Sequence, residues 1–104
     1  MFVVIYSFQV KPDYTAQFEK AWQALTVLIY EHEGSMGSRL HKKDACHYIA
    51  YAQWPNRETW KNSGTKLPSE ANQIREEMKL ACTKIETLHE LELIDDLLKT
   101  KRFE

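Results

Sequence analysis

The sequence predicts an α+β fold of the split βαβ kind called ferredoxin-like: strand, helix, strand, strand, helix pair, strand, with one antiparallel sheet and the helices on one face. Three observations carry it. The first ten residues hold Phe, Val, Ile and Tyr in a run closed by Lys11-Pro12-Asp13. An apolar stripe at three- and four-residue spacing then extends toward Gly34. Two further β-rich runs flank the polar turn Lys42-Lys43-Asp44-Ala45, and Pro55 ends the second.

The opening strand is apolar on both alternations, with Phe2, Val4, Tyr6, Phe8 and Val10 on one side and Val3 and Ile5 on the other before Ser7 and Gln9. Both of its faces are expected to be largely buried. Asp13 suits a helix N-cap, and from there to His32 the residues Phe18, Ala21, Trp22, Leu25, Leu28 and Ile29 share one stripe, with Gly34 as the stop. Val27 and Tyr30 fall off that stripe, either as ordinary exposed apolar residues or as part of a contact surface.

Ser35 to His41 and Cys46 to Trp54 read as a hairpin. Asn56 caps a short helix through Trp60 that Gly64 closes, and Pro68-Ser69 starts another whose buried stripe is Ala71, Ile74, Met78, Ala81 and Ile85. Leu88 to Leu98 alternates imperfectly, with His89, Leu91, Leu93 and Leu97 on one face, and reads as a last, half-buried strand. Residues 1–104 form one domain without a linker. Because the helices cover one face only while the first strand is apolar on both, the open face calls for a partner, and a second copy of the chain is the simplest one.

A chain of 104 residues buries roughly 65% of its unfolded surface, enough for one core. Lys and Arg number 14 against 15 Asp and Glu, a net charge of −1, which argues against nucleic acid or an anionic membrane as the main partner. The one basic cluster, Lys99-Thr-Lys-Arg102, reads as a solvated end. No apolar run approaches the roughly 18 residues that span a bilayer, and the N-terminus lacks the basic start and cleavage site of a signal peptide, so a cytoplasmic protein is expected. Cys46 and Cys82, without a CxxC spacing, are expected to be reduced thiols.

Several stretches carry a resemblance. The opening Phe2-Val-Val-Ile-Tyr-Ser-Phe-Gln-Val-Lys-Pro12, then Phe18-Glu-Lys-Ala-Trp22, Glu33-Gly-Ser-Met-Gly-Ser-Arg-Leu-His41, Tyr48-Ile-Ala-Tyr-Ala-Gln-Trp-Pro-Asn-Arg-Glu-Thr-Trp60 and the ending Leu93-Ile-Asp-Asp-Leu-Leu98 resemble the antibiotic biosynthesis monooxygenase domain family of the dimeric α/β-barrel superfamily. The resemblance covers nearly the whole chain. It implies a homodimer whose two sheets face each other as a barrel, with a pocket between sheet and helices in each subunit. Members of that family include cofactor-independent oxygenases of aromatic polyketides or quinols, haem-degrading enzymes and proteins of unknown activity. The haem-degrading branch is recognised by an Asn on the first strand and a Trp and a His after the third. Here Tyr6 stands where that Asn aligns, and no histidine lies between Trp54 and His89.

In the cofactor-free oxygenases the substrate does the redox work: its phenol or enol loses a proton and the anion reduces dioxygen. The protein supplies a dry pocket, a base or hydrogen bond for the acidic hydroxyl, and donors for the developing charge. Tyr6 and Phe8 share one strand face, and Trp54 shares a face with Tyr48, Ala50 and Ala52, whose small alanines leave room for a cavity that Trp22 and Trp60 would roof. The same aromatics suit an ordinary core. His89, with an unperturbed pKa of about 6.5, suits a proton acceptor or a structural histidine at a strand start. His32 suits the end of the first helix. Arg39 would anchor an anionic substrate, or pair with Glu90 or Glu92.

His41, Asp44, Cys46 and His47 cluster around the hairpin, but Cys46 and His47 as strand neighbours point to opposite faces, so no metal site is expected. The expected function is a cofactor-independent monooxygenase of a small hydroxylated aromatic or quinol. In it His89 or Tyr6 handles the proton, and Trp54, Trp60, Phe8, Trp22 and Arg39 bind substrate. A non-catalytic small-molecule-binding or interaction domain of the same fold is the alternative, and a haem-degrading enzyme a third.

Overall fold

A computed structural model describes residues 1–99, so all of the basic tail except Lys99 lies outside the described residues. The elements are β1 (Phe2–Val10), α1 (Thr15–His32), β2 (Ser38–Asp44), β3 (His47–Trp54), α2 (Arg57–Lys61), α3 (Glu70–Ala81) and β4 (Cys82–Glu92). The four strands form one antiparallel sheet in the order β2-β3-β1-β4, which is the predicted ferredoxin-like arrangement. Among the described residues no helix is long and apolar enough to cross a membrane.

The helices cover the face of β1 that carries Phe2, Val4, Tyr6, Phe8 and Val10. There Phe18 of α1 lies between Phe8 and Tyr48, with ring centroids 5.0 and 4.8 Å away, and burying a ring of this kind contributes about 1.5–3 kcal/mol. The Tyr48 hydroxyl donates to the Glu19 carboxylate over 2.5 Å, so the strand-borne tyrosine is tied back to α1. The opposite, open face sets Val3, Ile5, Ile49 and Tyr51 between polar edges, and one row across it reads Arg39, Tyr51, Ile5, His89.

Several boundaries differ from the sequence expectation, among them the start of β2 at Ser38 rather than Ser35. Asp13 does not cap a helix: Pro12–Tyr14 form a single 3-10 turn, and α1 starts at Thr15 without a side-chain cap. The hairpin turn is displaced to Ala45-Cys46, where the Asp44 side chain accepts the Cys46 N–H over 3.1 Å and makes a glycine unnecessary. The last helix stops at Ala81, short of Ile85. Correspondingly, β4 begins at Cys82 and ends at Glu92 rather than running from Leu88 to Leu98. Pairing decides this, since β1 offers a full edge from Val10 opposite Cys82 to Phe2 opposite Glu92. The hydrogen bonds of that ladder outweigh a helical spacing that continues past Ala81.

The end of α1 is held by a buried charge. Gly34 takes a φ of +82°, a left-handed conformation open to glycine, and a Cβ there would stand 3.2 Å from Thr59 Cγ2. Just before it, the buried Glu33 carboxylate accepts the backbone N–H of Gly64 over 2.7 Å and that of Lys66 over 2.9 Å. This ties the helix end to the loop between α2 and α3.

Candidate active site

Between sheet and helices lies a cavity of about 190 Å³. Its origin is the cross-strand pairing: Tyr6 stands opposite Ala50 and Val4 opposite Ala52, so β3 presents two methyl groups where β1 presents larger side chains. Tyr6 and Phe8 of β1 and Trp54 at the end of β3 line the space, α1 closes it with Trp22, Leu25, Thr26 and Ile29, and Met78 and Ile85 complete it. None of the lining side chains is ordinarily charged at neutral pH.

Two polar groups stand out in this apolar setting. The Tyr6 hydroxyl accepts the Trp60 indole N–H over 2.8 Å, and among the described residues no protein acceptor takes its own proton. Burial pushes the Tyr6 phenol above its ordinary value, the Trp60 N–H pulls it part of the way back, and the Glu90 carboxylate adds to the rise. Tyr6 is therefore a protonated donor at neutral pH rather than a base. The second group is the Nε1–H of Trp54, which is buried without an acceptor. An orphaned buried donor costs about 1–3 kcal/mol, and the packing around this N–H leaves it no surface for a cavity ligand to touch.

The structure thus brings together Tyr6, Phe8, Trp22 and Trp54 around the cavity, with Trp60 holding the Tyr6 hydroxyl. Two expected site residues are elsewhere. His89 pairs with Ile5 and is exposed on the open face of the sheet, away from the Tyr6 side. Arg39 lies on that same open face, opposite Tyr51, and is exposed. It cannot pair with Glu90, which is on the helix face of the far strand and forms an ion pair with Arg57. Among the described residues no three His, Cys, Asp or Glu side chains gather as a metal site.

Ser35, Ser38 and Thr26 line the cavity without having been singled out from sequence. The signal for Ser38 was present, because it stands opposite Ala52 in the ladder. Small polar residues next to a small apolar one are a common surface pattern, so that signal needed the register to be read.

Solved structures of the same fold are close in shape and distant in sequence. SnoaB from Streptomyces nogalater, a cofactor-independent oxygenase, superposes with a TM-score of 0.75 at 13% identity, covering 94% of this chain and 97% of its own. Rv0793 from Mycobacterium tuberculosis gives 0.71 at 14%, covering 93% and 98%. A protein from Deinococcus radiodurans described as a candidate antibiotic biosynthesis monooxygenase gives 0.74 at 10%, covering 97% and 100%. No curated protein sequence matches the chain. The sequence profile of the family described as antibiotic biosynthesis monooxygenase matches residues 1–65, and the chain belongs to that family.

Proposed function

We propose that this protein is a cofactor-independent monooxygenase of a small, uncharged hydroxylated aromatic. The observation that carries the reading is the cavity itself: largely apolar walls, an alanine floor, and the Tyr6 O–H, whose proton has no protein acceptor among the described residues, with no charged side chain in the lining. Family membership supports it, as does the likeness to SnoaB.

The site offers donors but no base, so the substrate must be acidic enough to ionise by itself on its way in or at the cavity mouth. A phenolate so formed gives one electron to dioxygen, and the resulting radical and superoxide join through a C–O bond at the para carbon. The peroxide then takes up a proton, the O–O bond breaks, and loss of water with the para C–H proton leaves a quinone. One oxygen atom ends in the product and the other in water, so the ring supplies all the electrons. The Tyr6 O–H stabilises the negative charge as it develops on oxygen, which is where a preorganised donor has the greatest effect.

Size narrows the substrate. A dry cavity of about 150 Å³ holds one benzene ring, so about 190 Å³ suits one substituted ring or a compact pair of rings rather than a three- or four-ring polyketide. The reading also carries a homodimer through the open sheet face, where Val3, Ile5, Ile49 and Tyr51 would meet their counterparts. The free thiols of Cys46 and Cys82 suit a reducing, cytoplasmic setting.

The test is oxygen uptake by the purified protein with a panel of one- and two-ring phenols and quinols. Uptake and quinone formation well above autoxidation are expected for at least one. A rate equal to autoxidation throughout would sink the reading, and thermal stabilisation by a ligand without uptake would leave a binding domain in its place.

A further inference from the structure

Tyr6 is connected to the protein surface by a short chain of contacts. Its hydroxyl accepts from Trp60, the Trp60 ring lies 5.7 Å from that of Phe2, and the Arg57 guanidinium sits 5.4 Å over Phe2. Arg57 also pairs with the carboxylate of Glu90. Glu90 stands opposite Val4 on the helix face of β4, one inward-facing position along from Tyr6.

Helix α2 makes this chain consequential. It has five residues and buries none of them fully, far below the length at which a helix holds itself together in water. Beyond the Glu33 tie to the loop that follows it, its seat on the sheet rests on what Arg57 and Trp60 touch. The charged group acting on the Tyr6 hydroxyl is Glu90 from β4, itself paired with Arg57 of α2, whereas Ala50, Trp22 and Met78, which share the cavity lining with Tyr6 from β3, α1 and α3, are uncharged.

We infer that Arg57 is a positioning residue for this site, cancelling the charge of Glu90 and seating α2 so that Trp60 keeps its N–H on the Tyr6 hydroxyl. The inference rests on Tyr6 serving as the donor of the proposed reaction. Without Arg57, the bare carboxylate and a loosened Trp60 both act against the phenolate, so both push the Tyr6 proton to be held more tightly. Because the Arg57 and Glu90 side chains are 53% and 35% exposed, solvent screens the pair, and its influence shrinks as salt is added.

The experiment is a titration of the ligand-free protein by the ring Cζ carbon resonances of 13C-labelled tyrosine at low salt, with the Tyr6 signal assigned by its loss in Tyr6→Phe. In Arg57→Gln the Tyr6 curve moves to higher pH than in wild type, in Arg57→Lys it returns toward wild type, and in Glu90→Gln it moves to lower pH. The other four tyrosines keep their positions. An Arg57→Gln curve that overlays wild type overturns the inference, as does a common movement of all five tyrosines, which would mark general loosening. Should Arg57→Gln fail to fold, Arg57→Met, which keeps an apolar stem over Phe2, takes its place: an unmoved Tyr6 curve overturns the inference and a raised one supports it. Because no substrate is present, the result stands whether or not the protein consumes oxygen.

Discussion

The indole N–H of Trp60 and the hydroxyl of Tyr6 meet at 2.8 Å across the junction of α2 and β1, two elements 54 residues apart in the chain. That bond leaves the phenol's own proton free to face the cavity. Tyr6→Phe keeps the ring and removes both roles. The expected result is a loss of about 1 kcal/mol in stability, from the orphaned Trp60 donor, and a fall of roughly 10²-fold in turnover. Urea midpoints and oxygen uptake check the two separately. The pH dependence follows from the direction of the Tyr6 shift. The fold favours the protonated phenol, so its contribution is complete below the ordinary tyrosine value of 10.0 and is lost only as pH rises through the higher folded value. No fall in activity from Tyr6 is expected between pH 7 and 9.

His89 stands opposite Ile5, so His89→Ala is expected to leave turnover and ligand affinity within about twofold of wild type, since surface changes away from a site rarely exceed that. Steady-state oxygen uptake checks it, and a loss of turnover with unchanged self-association would return His89 to the chemistry. The alternation of His89 with Leu91 was legible in the sequence, but of the strand itself only residues 88–92 were. Its side of the sheet was not, because β1 is apolar on both faces and β4 changes parity midway. Between the pairs Ile5 with His89 and Tyr6 with Thr87, residue Leu88 is left over as a bulge. Ile85 and His89, four apart, therefore face opposite sides. The cavity was more readable, since Ala50 and Ala52 next to Trp54 mark a shallow place on any sheet.

Glu33 was not legible at all, because its partners are backbone groups of a loop some thirty residues on. Its carboxylate accepts from Gly64 and Lys66 while nearly excluded from solvent. Glu33→Ala removes a charged acceptor and leaves two N–H groups without it, for an expected loss of about 2–3 kcal/mol. Glu33→Gln, which keeps one acceptor oxygen, is expected to lose less. Urea denaturation of the two variants gives the order.

Cys82 starts β4, and burial pushes its thiol up to about 11, against a smaller opposing pull from Lys11. At pH 8 the thiolate fraction is then roughly one in a thousand. In a Cys46→Ser background, reaction with a disulfide reagent at pH 8 is expected to be at least tenfold slower than for the urea-unfolded chain. The sign for stability follows: the fold favours the protonated thiol, so its contribution is intact below the ordinary value of 9.0 and is lost as pH rises toward 11.

Ala52 tests whether the cavity is the site. Its methyl group is buried and faces the empty space opposite Val4, with Trp54 two residues on along the same strand face. Leucine at this position places three more carbons in that space without displacing a neighbour, so Ala52→Leu is expected to hold its stability or gain up to about 1 kcal/mol, as cavity-filling changes do. The same carbons occupy the room an aromatic ring needs, and ligand affinity is expected to fall at least tenfold. Calorimetric titration with the phenol that gives oxygen uptake, run beside thermal unfolding, separates the two effects. A variant that is as stable as wild type and still binds and turns over that phenol would place the reaction somewhere other than between these aromatic side chains.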